Sequence, residues 1–163
     1  MTTAPPLTVL PLATIGYEGT TVDAFLATLR DAGITLLVDV RAVASSRRPG
    51  FAKTRLAANL DTVGIAYLHL RDLGTPSDGR AAARAGQHGE MQRIFGEHLT
   101  TDRAQEALAS LAELVRSGGS VCLLCFEADP AHCHRSLVAD ALRALVPVQV
   151  TNLMPQLPTD ASD

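Results

Sequence analysis

Short apolar runs alternate with amphipathic segments along the chain. The first run, residues 12–15, precedes a segment, residues 20–33, in which apolar side chains recur at intervals of three and four, and that spacing predicts a helix. Residues 34–40 form a nearly continuous apolar run, as expected for a strand that is covered on both faces. The pattern therefore predicts a β-α-β unit at the start of the chain.

The same alternation continues to the end of the chain. After a loop at residues 41–53, the predicted helices are 53–63, 81–85, 90–99, 102–117 and 135–145, and the predicted strands are 65–70, 121–126 and 148–151. Neither an internal repeat nor a linker interrupts the pattern. It predicts one α/β domain over residues 1–163, a three-layer α/β/α sandwich around a mainly parallel sheet of about five strands. The core is expected at about 12–151, with tails at 1–10 and 152–163.

The composition allows one self-sufficient core and provides little global electrostatic attraction. The chain has 163 residues, 47% of them hydrophobic, and a formal net charge of -3 at pH 7. Its overall charge therefore attracts neither nucleic acid nor an anionic membrane. No apolar run reaches the roughly 20 residues of a membrane span, and the first residues lack a basic leader, so we expect a cytoplasmic protein without a membrane partner. Three cysteines are an odd number, which argues against a disulfide framework.

A polar motif, LLCFEADPAHCHRS at residues 123–136, ends the fourth predicted strand. Ligands of open parallel sheets bind beyond the carboxyl ends of the strands, so the motif lies where a site is expected. Asp129 and Pro130 are a typical helix start. Cys133 would then lie in the first turns of the last helix, where the helix dipole and Arg135 favour a thiolate. Cys133 is therefore the better nucleophile candidate, the alternative being a small buried residue.

Two other chemistries of this motif have less support. Cys122 and Cys125 have the spacing of zinc ligands, but residues three apart on a strand face opposite sides of the sheet and cannot share one ion. A metal site formed by Cys125, Cys133 and a histidine stays an alternative to our expectation that the protein holds neither metal nor cofactor. In rhodanese-like and phosphatase-like loops the nucleophilic cysteine begins an anion-binding loop. Here Glu127 and Asp129 follow Cys125 and would repel the anion, so Cys125 is a poor nucleophile of that kind.

A second polar feature is a basic loop after the second predicted strand. Residues 41–55 contain five basic side chains and no acidic one. Guanidinium and backbone groups of such loops bind phosphate, although a basic run is more often a solvated surface. Tyr17 and Glu18 follow the first strand and His69 lies near the end of the third. We therefore expect the first four strands to deliver polar groups to one pocket, where Glu18 and Glu127 act as general bases or as partners of the arginines.

Five motifs together resemble the bacterial domain of unknown function 488 family over roughly residues 12–145. They are TIGYEG (14–19), LLVDVR (36–41), SRRPGFAK (46–53), YLHLRDLGTP (67–76) and the LLCFEADPAHCHRS motif. The resemblance implies a three-layer α/β domain in which these motifs meet, and it implies no particular reaction. The family positions that the chain matches are Thr14, Gly16, Asp39, Arg41, Ser46, Arg47, Lys53, His69, Leu73, Gly74, Arg80, Cys125, Glu127, Cys133, His134 and Arg135.

These observations favour a small cytoplasmic enzyme, a hydrolase or transferase, that acts on an anionic substrate such as a nucleotide, a nucleic acid or a phosphorylated metabolite. The candidate catalytic residues are Cys133, His134, Glu127, Cys125 and His69. The candidate substrate-binding residues are Thr14, Gly16, Tyr17, Glu18, Asp39, Arg41, Ser46, Arg47, Lys53, Arg80 and Arg135. The alternatives are a non-catalytic module that binds nucleic acid or a nucleotide, and a metal-binding or thiol redox protein.

Overall fold

Five parallel strands form the centre of the fold in the computed structural model, which describes residues 8–155. They are β1 (Leu10–Gly16), β2 (Leu36–Asp39), β3 (Ala66–His69), β4 (Val121–Cys125) and β5 (Val148–Leu153). Their order across the sheet is β3-β2-β4-β1-β5, and every neighbouring pair is parallel. The predicted parallel sheet of about five strands is confirmed. Of the predicted tails, residues 1–7 and 156–163 lie outside the described part of the chain.

Helices connect the strands. They are α1 (Val22–Asp31), α2 (Lys53–Asp61), α3 (Ser77–Arg84), α4 (His88–Leu99), α5 (Asp102–Arg116) and α6 (His134–Arg143), with 3-10 turns at Arg71–Leu73 and Pro130–His132. At the start of α1, the hydroxyl of Thr21 accepts a hydrogen bond from the backbone N–H of Ala24 at 3.2 Å, which caps the helix. Phe25 and Leu29 lie on the buried side of α1, as the apolar spacing predicts. Within residues 8–155, none of the helices has the length and apolar composition needed to cross a bilayer.

Two apolar clusters, one on each face of the sheet, define three layers. Phe25 of α1 and Leu60 of α2 belong to the cluster on one face, whereas α4, α5 and α6 contribute to the cluster on the other, for example through Phe95. Side chains alternate along β4, so that Cys122 belongs to the first cluster and Cys125 to the second. The predicted α/β/α sandwich is confirmed, and these two cysteines face opposite sides of the sheet.

β4 lies between β2 and β1, so the carboxyl ends of these three strands are neighbours. Gly16 of β1 is in register with Cys125 of β4, and Asp39 of β2 is in register with Leu124. β3 is the edge strand beside β2, and its last residue, His69, is in register with Asp39. The loops after β1, β2 and β4 therefore share one rim, while the end of β3 lies further out.

Two predicted helix starts need correction. α3 begins at Ser77 rather than at residue 81. Asp129 does cap a turn, because its carboxylate accepts a backbone hydrogen bond at 2.9 Å, but this turn is a separate 3-10 segment. Cys133 has extended backbone angles, φ -124° and ψ 142°, which interrupt the helical path. α6 therefore begins at His134, and Cys133 stands just before its first turn.

Candidate functional site

A cavity of about 480 Å³ lies at the shared rim of β1, β2 and β4, and α3 forms its outer wall. This volume is typical of small-molecule sites. Among the residues that line it are seven of the predicted site residues: Tyr17, Glu18, Arg41, Arg80, Cys125, Glu127 and His134. Side chains from separate parts of the sequence therefore meet in one cavity.

His134 is held at the inner end of the cavity in a defined tautomer. Its Nε2 lies 2.7 Å from the carbonyl oxygen of Val40. A carbonyl oxygen only accepts, so Nε2 carries a proton, and in the neutral ring Nδ1 presents a lone pair. Two sulfur atoms lie near this lone pair: Sγ of Cys125 is 3.3 Å and Sγ of Cys133 is 3.9 Å from Nδ1. The imidazole and the two thiols form one contiguous group, which we call the thiol–imidazole cluster.

The two thiols of this cluster differ in access. Both side chains are buried, 5% exposed for Cys125 and 3% for Cys133, but Cys125 lines the cavity and Cys133 is not among the residues that line it. Burial raises the pKa of Cys133 well above its usual value, and a hydrogen bond with Cys125 raises this pKa further. That direction is opposite to the lowering expected from a helix N-terminus. Cys125 is therefore the thiol that a molecule in the cavity would meet, although the sequence favoured Cys133.

Two carboxylates border the cavity in different surroundings. Oε1 of Glu18 accepts a hydrogen bond from the backbone N–H of Ala128 at 3.0 Å, so this side chain holds the loop after β4. Glu127 extends toward the cluster instead, and its Oε2 lies 3.5 Å from Sγ of Cys125. Of the two, Glu127 is the carboxylate positioned for proton transfer at the inner end.

A buried ion pair forms the floor beside the cluster. Asp39 accepts hydrogen bonds from Nε and Nη2 of Arg41 at 2.9 Å and 2.7 Å, and the two side chains are 0% and 5% exposed. Arg41 also donates to the hydroxyl of Tyr17 at 3.2 Å and to the carbonyl of Phe51 at 2.8 Å. Burial alone would lower the pKa of Arg41, but the hydrogen bonds and the charge of Asp39 outweigh burial and raise it. Most donors of this guanidinium are therefore engaged within the protein.

Arg135 holds the loop after β4, residues 126–132, in place through hydrogen bonds. This fully buried guanidinium donates to Oγ1 of Thr14 at 3.2 Å and to two backbone carbonyls of the loop, one of them that of Glu127. Gly16 lies directly against the loop, because a Cβ at this position would be 1.8 Å from the carbonyl oxygen of Glu127. The sequence assigned Thr14, Gly16 and Arg135 to substrate binding, and the structure shows them supporting this loop.

α3 brings two guanidinium groups to the outer wall. Arg80 and Arg84 are one helical turn apart, and both line the cavity. Arg80 donates to the backbone carbonyl of Thr75 at 2.9 Å, whereas Arg84 is exposed. Arg84 and His132 line the cavity without having been predicted. A helix predicted from residue 77 would have included both arginines at i and i+4, and this spacing is the sequence signal that points to them.

Some predicted residues lie outside this cavity. Lys53 and His69 line a separate, open groove that shares only Ala42, Val43 and Ser45 with the cavity. Ser46 accepts a backbone hydrogen bond within its own loop at 3.1 Å, and Arg47 is exposed. The ends of β1, β2 and β4 therefore contribute to this cavity, whereas His69 at the end of β3 lies in the separate groove, because β3 is at the edge of the sheet.

Comparison with known protein families gives one match. A family model described as "Domain of unknown function DUF488" covers residues 21–142, about three quarters of the chain. All residues of the thiol–imidazole cluster, and Glu127 beside it, fall within the matched range. Neither a curated protein nor a solved structure matches the chain.

Proposed function

Because the chain belongs to the domain of unknown function DUF488 family, whose description names no reaction, we propose a function from the chemistry of the cavity. The protein is an enzyme that catalyses hydrolysis or group transfer on a small anionic substrate. One observation carries this proposal, the division of the cavity into two ends. Two arginines of α3 stand on the outer wall, and the thiol–imidazole cluster with its neighbouring carboxylate stands at the inner end.

The outer wall suits a phosphate or carboxylate group of the substrate. Guanidinium groups bind these anions through paired, charge-assisted hydrogen bonds. Arg84 is exposed to the cavity mouth, and Arg80 is held in place by its bond to Thr75. The volume of about 480 Å³ accommodates a molecule of the size of a mononucleotide or a sugar phosphate. A phosphorylated small molecule therefore fits this cavity better than a nucleic-acid duplex does.

The inner end suits proton transfer during displacement of a leaving group. Glu18 is engaged with a backbone N–H, so Glu127 is the carboxylate that acts as general acid and base. His134 is oriented by its bond to a backbone carbonyl, and Cys125 is the cluster thiol that lines the cavity. The nucleophile that attacks the substrate forms at this cluster. The protein is a hydrolase if water accepts the transferred group and a transferase if another molecule accepts it.

Turnover of nucleotides and phosphorylated metabolites by the purified full-length protein tests the proposal. Product formation is followed by phosphate release and mass spectrometry. Glu127→Gln should lower kcat by about 10²–10⁴-fold, the usual contribution of a general acid or base, with little change in KM. Arg84→Ser should raise KM by about tenfold to hundredfold, the worth of one charge-assisted hydrogen bond, with kcat largely retained.

Arg103→Ser is the matched control for the arginine variant, because Arg103 is an exposed arginine on α5. It should leave both kinetic constants unchanged. The contradictory result is a protein that converts none of these compounds but binds nucleic acid with a steep dependence on salt. Such binding would depend on Arg47 and Lys53 of the basic loop and would be insensitive to Glu127→Gln.

A further inference from the structure

Cys125, Cys133 and His134 present two sulfur atoms and one nitrogen lone pair to a common point. Their three ligand atoms lie within 4.8 Å of one another, and all three residues are buried. We propose that they form a zinc site with a fourth coordination position that opens into the cavity. Binding of the ion does not depend on the proposed function, whereas its role in catalysis rests on that function.

The two sulfur–nitrogen distances fit tetrahedral coordination. Zinc–sulfur bonds of about 2.3 Å and zinc–nitrogen bonds of about 2.0–2.1 Å place the sulfur and nitrogen ligands of one tetrahedral ion about 3.6 Å apart. From Nδ1 of His134, the distance to Sγ of Cys125 is 3.3 Å and the distance to Sγ of Cys133 is 3.9 Å. Each distance differs from the ideal by a few tenths of an ångström, which small side-chain rotations can supply.

The imidazole has the tautomer that an ion at this point requires. Nε2 donates to the carbonyl oxygen of Val40 at 2.7 Å, so that in the neutral ring the lone pair of Nδ1 is turned toward the sulfur atoms. Histidine ligands almost always anchor their other ring N–H to a carbonyl or carboxylate in this way. Both sulfur atoms therefore lie on the side of the ring that would bind the ion.

The donor set selects the ion. Thiolate and imidazole ligands suit zinc, whereas magnesium and calcium take oxygen ligands. Two thiolates balance the charge of one Zn²⁺, so that the buried site is neutral, and the two thiol protons pass to solvent on binding. The third cysteine, Cys122, belongs to the apolar cluster on the opposite face of the sheet and cannot join.

The fourth position faces the cavity beside Glu127. The carboxylate Oε2 is 3.5 Å from Sγ of Cys125, within reach of a water molecule bound at that position. A zinc ion held by Cys125, Cys133 and His134 would lower the pKa of this water; Glu127 would take the proton of the water, whose oxygen would form the new bond to the substrate. As the bond to the leaving group breaks, Glu127 delivers the proton to it. No atom changes its oxidation state in this step.

Metal content and a cobalt spectrum test the site without any substrate. Full-length protein purified without chelators is analysed by elemental mass spectrometry, and the metal-free protein is titrated with Zn²⁺ and Co²⁺. We expect about one zinc ion per chain, and a Co²⁺ complex with thiolate charge-transfer absorption and the intense visible bands of tetrahedral coordination. Cys125→Ser and Cys133→Ser should each weaken binding by more than about 100-fold, since loss of an outer-shell partner alone costs up to that much.

Cys122→Ser is the matched control, because it makes the same chemical change at a fully buried cysteine on the other face of the sheet. It should retain about one zinc ion per chain, and so should Glu127→Gln, which removes no ligand. Circular dichroism shows whether each variant is folded. If a ligand variant does not fold, thiol alkylation of the wild-type protein tests the site instead. Bound zinc should slow alkylation of Cys125 and Cys133 relative to the metal-free protein.

Wild-type protein that takes up no zinc and shows no thiolate–cobalt absorption would overturn the site. Uptake that survives unchanged in Cys125→Ser and Cys133→Ser would overturn it as well, and loss of zinc from Glu127→Gln would overturn the open fourth position. Zinc binding without turnover of any tested compound contradicts the proposed enzymatic function and supports the zinc site. Turnover that persists after complete removal of zinc contradicts only the catalytic role of the ion.

Discussion

Replacement of Asp39 by asparagine should strongly destabilise the fold. The carboxylate is fully buried and accepts four hydrogen bonds, from the backbone N–H of Arg41 at 3.0 Å, from its Nε and Nη2 at 2.9 Å and 2.7 Å, and from the hydroxyl of Tyr67 at 2.5 Å. Each carboxylate oxygen takes two of these bonds. Asparagine has the same shape but only one accepting oxygen, so two donors would face an amide NH₂ group. Arg41 would also keep a buried charge without its partner.

The magnitude follows from the burial of this pair. Removal of one partner from a buried ion pair costs about 3–5 kcal/mol, because the remaining charge stays desolvated. In a domain of this size each 1 kcal/mol lowers Tm by about 2–4 °C, so Asp39→Asn should lower Tm by about 6–20 °C. This loss is a large part of the roughly 5–15 kcal/mol by which a typical domain is stable.

Urea and thermal unfolding followed by circular dichroism measure the effect. Asp140→Asn is the matched control, because Asp140 pairs with Arg143 on the surface, where it is 63% exposed, and its loss should change stability by no more than about 0.5 kcal/mol. Addition of Arg41→Met to Asp39→Asn removes the unpaired charge and should recover at least about 1 kcal/mol. The reasoning is refuted if Asp39→Asn lies within about 1 kcal/mol of the wild type, or if the double variant is the less stable of the two.

Three further substitutions test the contacts around the cavity. Gly16→Ala should lower the free energy of unfolding by about 1–3 kcal/mol, because its Cβ would lie 1.8 Å from the carbonyl oxygen of Glu127; an unchanged Tm would argue against this close approach. Arg135→Met leaves two carbonyls of the loop without a donor, at about 1–3 kcal/mol each, and urea unfolding that shows no loss would contradict the support of the loop. Tyr67→Phe removes one donor from Asp39 and should cost about 1.5–3 kcal/mol, a cost that should shrink in the Asp39→Asn background if this hydrogen bond is its cause.

The layers of the fold could be predicted from the sequence because each helix or strand carries its own pattern of apolar residues, and this pattern shows which of its sides is buried. The apolar spacing of α1, with Phe25 and Leu29 on one side, shows which side packs against the sheet whatever the neighbouring elements are. The order of the strands has no such local signature. β4 inserts between β2 and β1, and this order leaves His69 on an edge strand, away from the cavity that the ends of β1, β2 and β4 share.

The prediction of α3 failed because packing overrides local preference there. Gly79 lies in the first turn of α3, where glycine weakens a helix prediction. The structure explains its presence, since a Cβ at this position would be 2.5 Å from Cγ2 of Thr75. Close packing against Thr75 therefore favours glycine at this position, although glycine is a poor helix former. Because the predicted helix began only after Gly79, it did not include Arg80 together with Arg84.

The ranking of the two thiols depends on the backbone of a single residue. A continuous helix from Asp129 would have placed Cys133 within its first turns, but the extended angles of Cys133 end the 3-10 turn before α6 begins. Cys125, on the carboxyl end of β4, lines the cavity, and Cys133 is not among the residues that line it. The predicted helix start favoured Cys133, whereas the backbone angles of this residue leave Cys125 as the thiol at the cavity.

The position of β4 makes the two ends of the cavity unequally tolerant of substitution. β4 is hydrogen-bonded to a neighbour on each edge and packed on both faces, so nearly any change near Cys125 disturbs the whole sheet. α3 lies outside the sheet and contributes Arg80 and Arg84 from its surface. Side chains of α3 can therefore be exchanged without disturbing the hydrogen bonds of the sheet, and under the proposed function an exchanged α3 should change the preferred substrate and leave the inner end of the cavity as it is.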